Sequence, residues 1–216
     1  GTLPELLARH GPEVEGIVVW WRNFGDSGLA GLPSRPVTDV YTQAVSAQSV
    51  IAQPNYGQSK QIYRHHARFP FLSAHGGGLN PATPNMPARR GHLVTPKGRV
   101  IDPAVWGNIP VPFDPPFPEP EWEVAQINHY LTKTRAQMHL RHTRGSAHSK
   151  GKYDQRYFWT QNRNEEEDLT IRRTADARNA ALAKLMADPV LSELHAAAVT
   201  QARAEIQRFH ASRAPS

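Results

Sequence analysis

The chain has 216 residues, 39% hydrophobic and 20% charged, which is enough for one domain with a real core or a little more, and too apolar for wholesale disorder. It has no cysteine, which excludes disulfides, a catalytic thiol, iron–sulfur ligation and thiolate zinc sites. The net charge of +6 is segregated: residues 40–101 hold seven bases and no acid, 102–132 five acids and no base, and 133–152 six bases and no acid. Such basic runs either serve phosphates or simply face solvent.

In chain order, Thr2-Leu3-Pro4-Glu5 predicts a short helix over 2–10, with Thr2 as N-cap, Glu5 closing a capping box and Gly11 as a left-handed stop. The chain thus opens at the mouth of a helix without a methionine, and the expectation is a fragment of a longer protein. Residues 16–22, Gly-Ile-Val-Val-Trp-Trp-Arg, predict a strand buried on both faces. Turn residues 23–28 follow, so polar groups gather at the end of a central strand, where ligands sit in open α/β sheets.

Short strands are expected over 60–64, 71–74 and 92–95, the last turned by Pro96-Lys97-Gly98. Residues 108–120 are rich in proline and predict an extended surface loop. Alternation over 122–130 predicts a strand ending in Asn128-His129-Tyr130, followed by a basic helix capped by Thr132 and stopped by Gly145. Residues 165–168, Glu-Glu-Glu-Asp, read as a solvated charge run. Two packing helices are expected at the end, over 175–186 and after Asp188-Pro189. The fold class is α/β, with domains at 1–150 and 151–216.

Four segments taken together carry a resemblance: Trp21-Arg22-Asn23-Phe24-Gly25-Asp26-Ser27-Gly28, then Asn128-His129-Tyr130-Leu131-Thr132-Lys133-Thr134, then Arg144-Gly145, and the tail 185–189. In order, they resemble bacterial glycosyltransferases of the family 2-like group, in a branch with W-R-x-F-G-x-x-G, N-H-Y-x-x-K-S and R-G segments. Thr134 stands for the serine, and Ala136, Gln137 and Met138 replace the acidic and aromatic residues usual after it. No Asp-x-Asp occurs in the 216 residues. The resemblance implies the acceptor-side, C-terminal part of a GT-A mixed sheet flanked by helices, with two C-terminal packing helices.

The implied activity is metal-dependent transfer of a sugar from a nucleotide-diphosphate donor to a glycan or surface-polysaccharide acceptor, in a cytoplasmic protein without a transmembrane segment, peripheral membrane association being left open. Such transfer builds negative charge on the leaving diphosphate and needs a base for the acceptor hydroxyl. Lys133 and Arg144 are candidate diphosphate contacts, and His75 joins them as a substrate-side residue because relatives place a histidine there. Arg141 reads as solvated surface. Asp26 is the candidate general base and Arg22 its neighbour facing the acceptor; the alternative for Asp26 is a turn-fixing aspartate. His129 is the candidate ligand of a Mn²⁺ or Mg²⁺ ion, or else a structural histidine. Trp20, Trp21 and Trp122 read as core. A different class of function, a basic module binding nucleic acid or another anionic polymer, is the alternative; no nucleic-acid-binding motif supports it.

Overall fold

A computed structural model describes residues 1–53, 59–64, 71–72, 77–78, 93–101, 119–145 and 154–211. His75 and most of the proline-rich loop expected over 108–120 lie outside the described residues. The architecture is mixed α/β. The chain packs as two compact units, residues 1–22 with 46–129 and residues 23–45 with 130–216, so each is built from two separate stretches rather than divided at residue 150.

The first unit opens with α1, Leu3–Ala8, where Thr2 accepts from the Glu5 amide and the Glu5 side chain accepts from the Thr2 amide, completing the expected capping box. The helix stops earlier than expected: Arg9 is the C-cap, and Gly11 is not among the positive-φ glycines. The organising element is β1, Gly16–Asn23, nearly every residue of which is buried. It pairs antiparallel with β3, Ser59–Tyr63, and parallel with β6, Leu93–Val94, and it also pairs with β7, Ile127–His129. A strand with partners on both edges needs apolar side chains on both faces, which is why the run Ile17-Val18-Val19-Trp20-Trp21 does not alternate. Val18 packs with Leu93 and Ile101 in one cluster, and Ile17 and Val19 with Val14 and Val94 in another.

The turn after β6 forms as the sequence predicts, with Gly98 at φ +86° and its amide on Thr95 O at 2.8 Å. The strand expected over 122–130 is confined to β7. Residues 122–124 form a turn instead, because the Glu121 carbonyl accepts both the Val124 and Ala125 amides, at 3.0 and 3.2 Å. Buried Glu121 fastens this turn to the preceding one: its carboxylate accepts from Thr95 Oγ1 at 2.9 Å and the Lys97 amide at 2.7 Å. A further pair, β4 Phe71–Leu72 and β5 Gly77–Gly78, is antiparallel. A short helix α3, Ala47–Ala52, is capped by Ser46, whose side chain accepts from the Ser49 amide.

In the second unit, a short helix α2, Val37–Val40, leads into β2, Gln43–Ala44, which pairs antiparallel with β8, Glu166–Glu167. The acidic run is therefore part of a strand pair, and Asp168 is buried, accepting from the Thr170 amide and hydroxyl at 2.8 and 2.6 Å. Phe24, Tyr41 and Ala44 form the core here, with Val37, Val40 and Tyr130 against it. Helix α4 spans Arg135–Arg144 and ends at Gly145, φ +81°, as expected; its N-cap is Thr134, not Thr132. Thr132 is buried and its hydroxyl donates to Phe24 O at 3.5 Å, so it holds the turn rather than the helix end. Helix α5, Gln155–Gln161, is followed by a 3-10 turn, Thr170–Thr174, then α6, Ala175–Met186, and α7, Pro189–Ala211. The last two helices form where the sequence places them, yet α6 buries no residue and α7 buries only Ile206. Among the described residues no helix is long and apolar enough to cross a membrane.

Candidate anion site on the turn into helix α4

Residues 131–134 and α4 form a basic turn-helix segment in the second unit. Thr132 and Thr134 are both buried, and between them Lys133 takes the left-handed region at φ +55°. A non-glycine residue there costs about 1–2 kcal/mol, so its neighbours must hold it. Arg141 Nη1 donates to Leu131 O at 2.8 Å, pinning the front of the turn. Thr134 Oγ1 accepts from the Gln137 amide at 3.2 Å, and the Tyr41 hydroxyl donates to Gln137 Oε1, pinning the back. Tyr41 is fully buried, and burial first, with the Asp26 charge adding to it, pushes its phenol up to about 12.

Lys133 at this turn feels the charges of two other cations of the segment. Lys133 is half-buried, and burial together with the positive charges of Arg141 and Arg144 holds its ammonium below the usual lysine range. No described carboxylate pairs with Lys133 or Arg144. A desolvated ammonium beside two guanidinium groups is a standing electrostatic cost that a multivalent anion relieves. Arg144 acts on Lys133 through its charge, and Arg141 is fixed by its bond to the Leu131 carbonyl rather than standing as solvated surface.

Asp26, also in the second unit, is a hub of the 26–28 turn. Its carboxylate accepts from the Gly28 amide, Asn162 Nδ2 and Asn164 Nδ2, each at 3.0 Å. In return Asn162 Oδ1 accepts from the Asp26 amide at 2.7 Å, and Asn164 Oδ1 from the Ser27 amide at 2.8 Å. Ser27 Oγ accepts the Thr42 and Gln43 amides at 2.9 and 3.0 Å. Three donors occupy most of the carboxylate's accepting capacity, an arrangement suited to fixing a loop. The Asn-x-Asn spacing at 162–164 was the sequence signal for these partners.

In the first unit, Arg22 and His129 join one aromatic cluster. The Arg22 guanidinium lies 4.5 Å from the Trp122 ring centroid, Trp122 Nε1 donates to Trp21 O at 3.2 Å, and the Trp21 and His129 rings are 3.9 Å apart. Lys60 Nζ lies 5.1 Å from the Trp21 centroid, and burial lowers its pKa. Trp20 and Trp21 are core residues, as expected, whereas Trp122 is only part-buried and serves as a platform for Arg22. The contact with the indole orients the His129 imidazole, and one imidazole does not bind a divalent cation alone. Among the described residues no three His, Asp or Glu side chains gather as a metal site.

No protein-family model matches this chain, and neither does any curated protein or solved structure.

Proposed function

We propose that the chain is part of a glycosyltransferase that moves a sugar from a nucleotide-diphosphate donor to a glycan acceptor. The observation that supports this most is the strained, pinned turn at Lys133, whose half-buried ammonium feels the charges of Arg141 and Arg144 and is paired with no carboxylate among the described residues. Diphosphate is an anion of matching charge, and its negative charge grows as the glycosidic bond to the donor breaks, so cations fixed beforehand favour the transition state over the ground state. The ordered motifs through Asn128-His129-Tyr130 and Arg144-Gly145 turn this anion site into a nucleotide-sugar proposal.

In this reading Lys133 and Arg144 hold the diphosphate and Arg141 keeps the turn in place. Asp26 orders the loop after β1, and Arg22 belongs to the acceptor side. A Mn²⁺ or Mg²⁺ ion, when bound, supplies further charge neutralisation at the diphosphate. The resemblance gives His129 as a candidate ligand for such an ion, and among the described residues no ligand set gathers.

Calorimetric titration with UDP and GDP, with and without Mn²⁺, tests the proposal. One of them should bind, and Lys133→Ala should weaken it about tenfold or more, the cost of losing a charge-assisted contact. Absence of binding by either nucleotide, or an unchanged affinity in Lys133→Ala, refutes it. Steeply salt-dependent binding of polyphosphate or DNA in place of either nucleotide would favour the anionic-polymer module instead.

A further inference from the structure

Helix α4 carries a second feature on another face. Arg135, Met138, His139 and His142 stand at i, i+3, i+4 and i+7, so they form one stripe along the helix. This stripe forms one wall of a cleft of about 200 Å³, which Phe158 and Asp154 of the α5 region and Phe209 of α7 complete. All of these residues belong to the second unit.

The cleft has an apolar floor and a basic rim. Met138 and Phe158 are buried, and Phe209 stacks on His139 with centroids 4.0 Å apart and planes 17° off parallel. Glu205 Oε1 lies 3.8 Å from His139 Nε2. On the rim, Arg135 and His142 are exposed and make no hydrogen bond to a described residue. Arg135 is nevertheless positioned, its guanidinium 5.5 Å from the ring centroid of Trp159, which is 56% exposed. Asp154 Oδ1 accepts from the Tyr157 amide at 2.7 Å, which commits that oxygen to capping α5.

We propose that this cleft binds one carboxylated sugar ring of the acceptor glycan. The proposal rests on the transferase reading above and specifies its acceptor. The volume suits a single ring rather than a chain segment. Aromatic floor residues accept the C–H face of a pyranose, as apolar pockets with a few placed polar groups do. The planar guanidinium of Arg135 takes a carboxylate in bidentate fashion, with His142 about two helical turns along the stripe at the other end of the rim. The free oxygen of Asp154 accepts a ring hydroxyl.

Trp159 reports on the site, because a ligand that draws Arg135 off its ring changes the indole emission. The experiment titrates glucuronate at constant ionic strength, with glucose and acetate as parallel arms, and follows tryptophan emission in the wild-type chain and in Trp159→Phe. Saturation-transfer NMR on the same samples gives a readout independent of Trp159. Glucuronate should saturate in the millimolar range, as expected of about a dozen non-hydrogen atoms. The emission change should vanish in Trp159→Phe while the NMR transfer remains. Arg135→Met, at an exposed position that leaves the fold intact, should weaken binding about tenfold or more, and glucose and acetate should each bind about tenfold more weakly.

Silence in both readouts, equal binding of glucose or of acetate, or an unaltered Arg135→Met overturns the proposal. The two readings separate cleanly. Nucleotide binding without glucuronate binding removes the cleft and keeps the transferase, while glucuronate binding without nucleotide binding keeps the cleft as a glycan site and removes the transferase.

Discussion

Replacing Asp26 by alanine separates a carboxylate that organises a loop from one that merely stands near it. The substitution removes three accepted hydrogen bonds, from the Gly28 amide and from the side chains of Asn162 and Asn164. An intramolecular hydrogen bond contributes about 1 kcal/mol net, and about half that where both groups reach water. The Asn162 bond is part-buried and the other two are exposed, so the expected loss is about 2 kcal/mol. The stranded amides remain near solvent and add no large desolvation cost. For a chain of this length that loss lowers Tm by about 4–8 °C, read by circular dichroism and confirmed by faster hydrogen exchange at the Ser27 and Gly28 amides.

Asp26→Asn keeps one accepting oxygen but turns an amide toward the Asn162 amide, so about half the loss should appear. In a double-mutant cycle, Asp26→Ala and Asn162→Ala should show a coupling of about 1 kcal/mol, because both remove the bond from Asn162 Nδ2 to Asp26 Oδ2. A melting temperature for Asp26→Ala within about 1 °C of the parent would refute this account of the loop. If transfer activity then vanished at unchanged stability, Asp26 would have to be assigned to chemistry instead.

Two glycines in the same loop should respond differently to alanine. A Cβ at Gly25 would sit 2.4 Å from both Arg163 O and Asn164 Oδ1, so Gly25→Ala should cost about 3 kcal/mol or more by denaturant melts. At Gly28 nothing lies within 4 Å of the added Cβ, and only the φ of +73° resists, so Gly28→Ala should cost about 1 kcal/mol. Equal effects would show that crowding at Gly25 is relieved without cost. Stability should also fall at alkaline pH: the Tyr41 phenol is raised from 10 to about 12, so its contribution is intact below pH 10 and is lost as pH rises towards 12, where the unfolded chain has already released the proton. Tyr41→Phe should abolish that part of the alkaline loss, and should remove from the phenolate absorbance a step that the parent shows near pH 12 rather than 10.

The N-cap of α1, the buried β1, the stop at Gly145 and the two C-terminal helices were legible from local pattern, since capping chemistry, apolar runs and glycine conformations act within a few residues. That Lys133 and Arg144 lie on one basic segment was legible, and the charge of Arg144 does act on Lys133. The cap at Thr134 was misplaced by two residues because Thr132 and Thr134 are equally good caps locally, and only the core decided that Thr132 would bond to Phe24 O, 108 positions away. Likewise the alternation over 122–130 was satisfied by a turn, because buried Glu121 tied residues 121–125 to the 95–99 turn. In the acidic run at 165–168, Glu166 and Glu167 stay exposed as expected but pair with β2, while Asp168 is buried with its amide on Thr42 O, 126 positions earlier. Asp26 and its asparagines are separated by 136 and 138 positions. Local propensities therefore determined which segments could be helix or strand, whereas the choice of polar partner, and with it whether a residue is scaffold or site, was made by burial: a polar group removed from water must be matched by whatever segment the fold brings beside it.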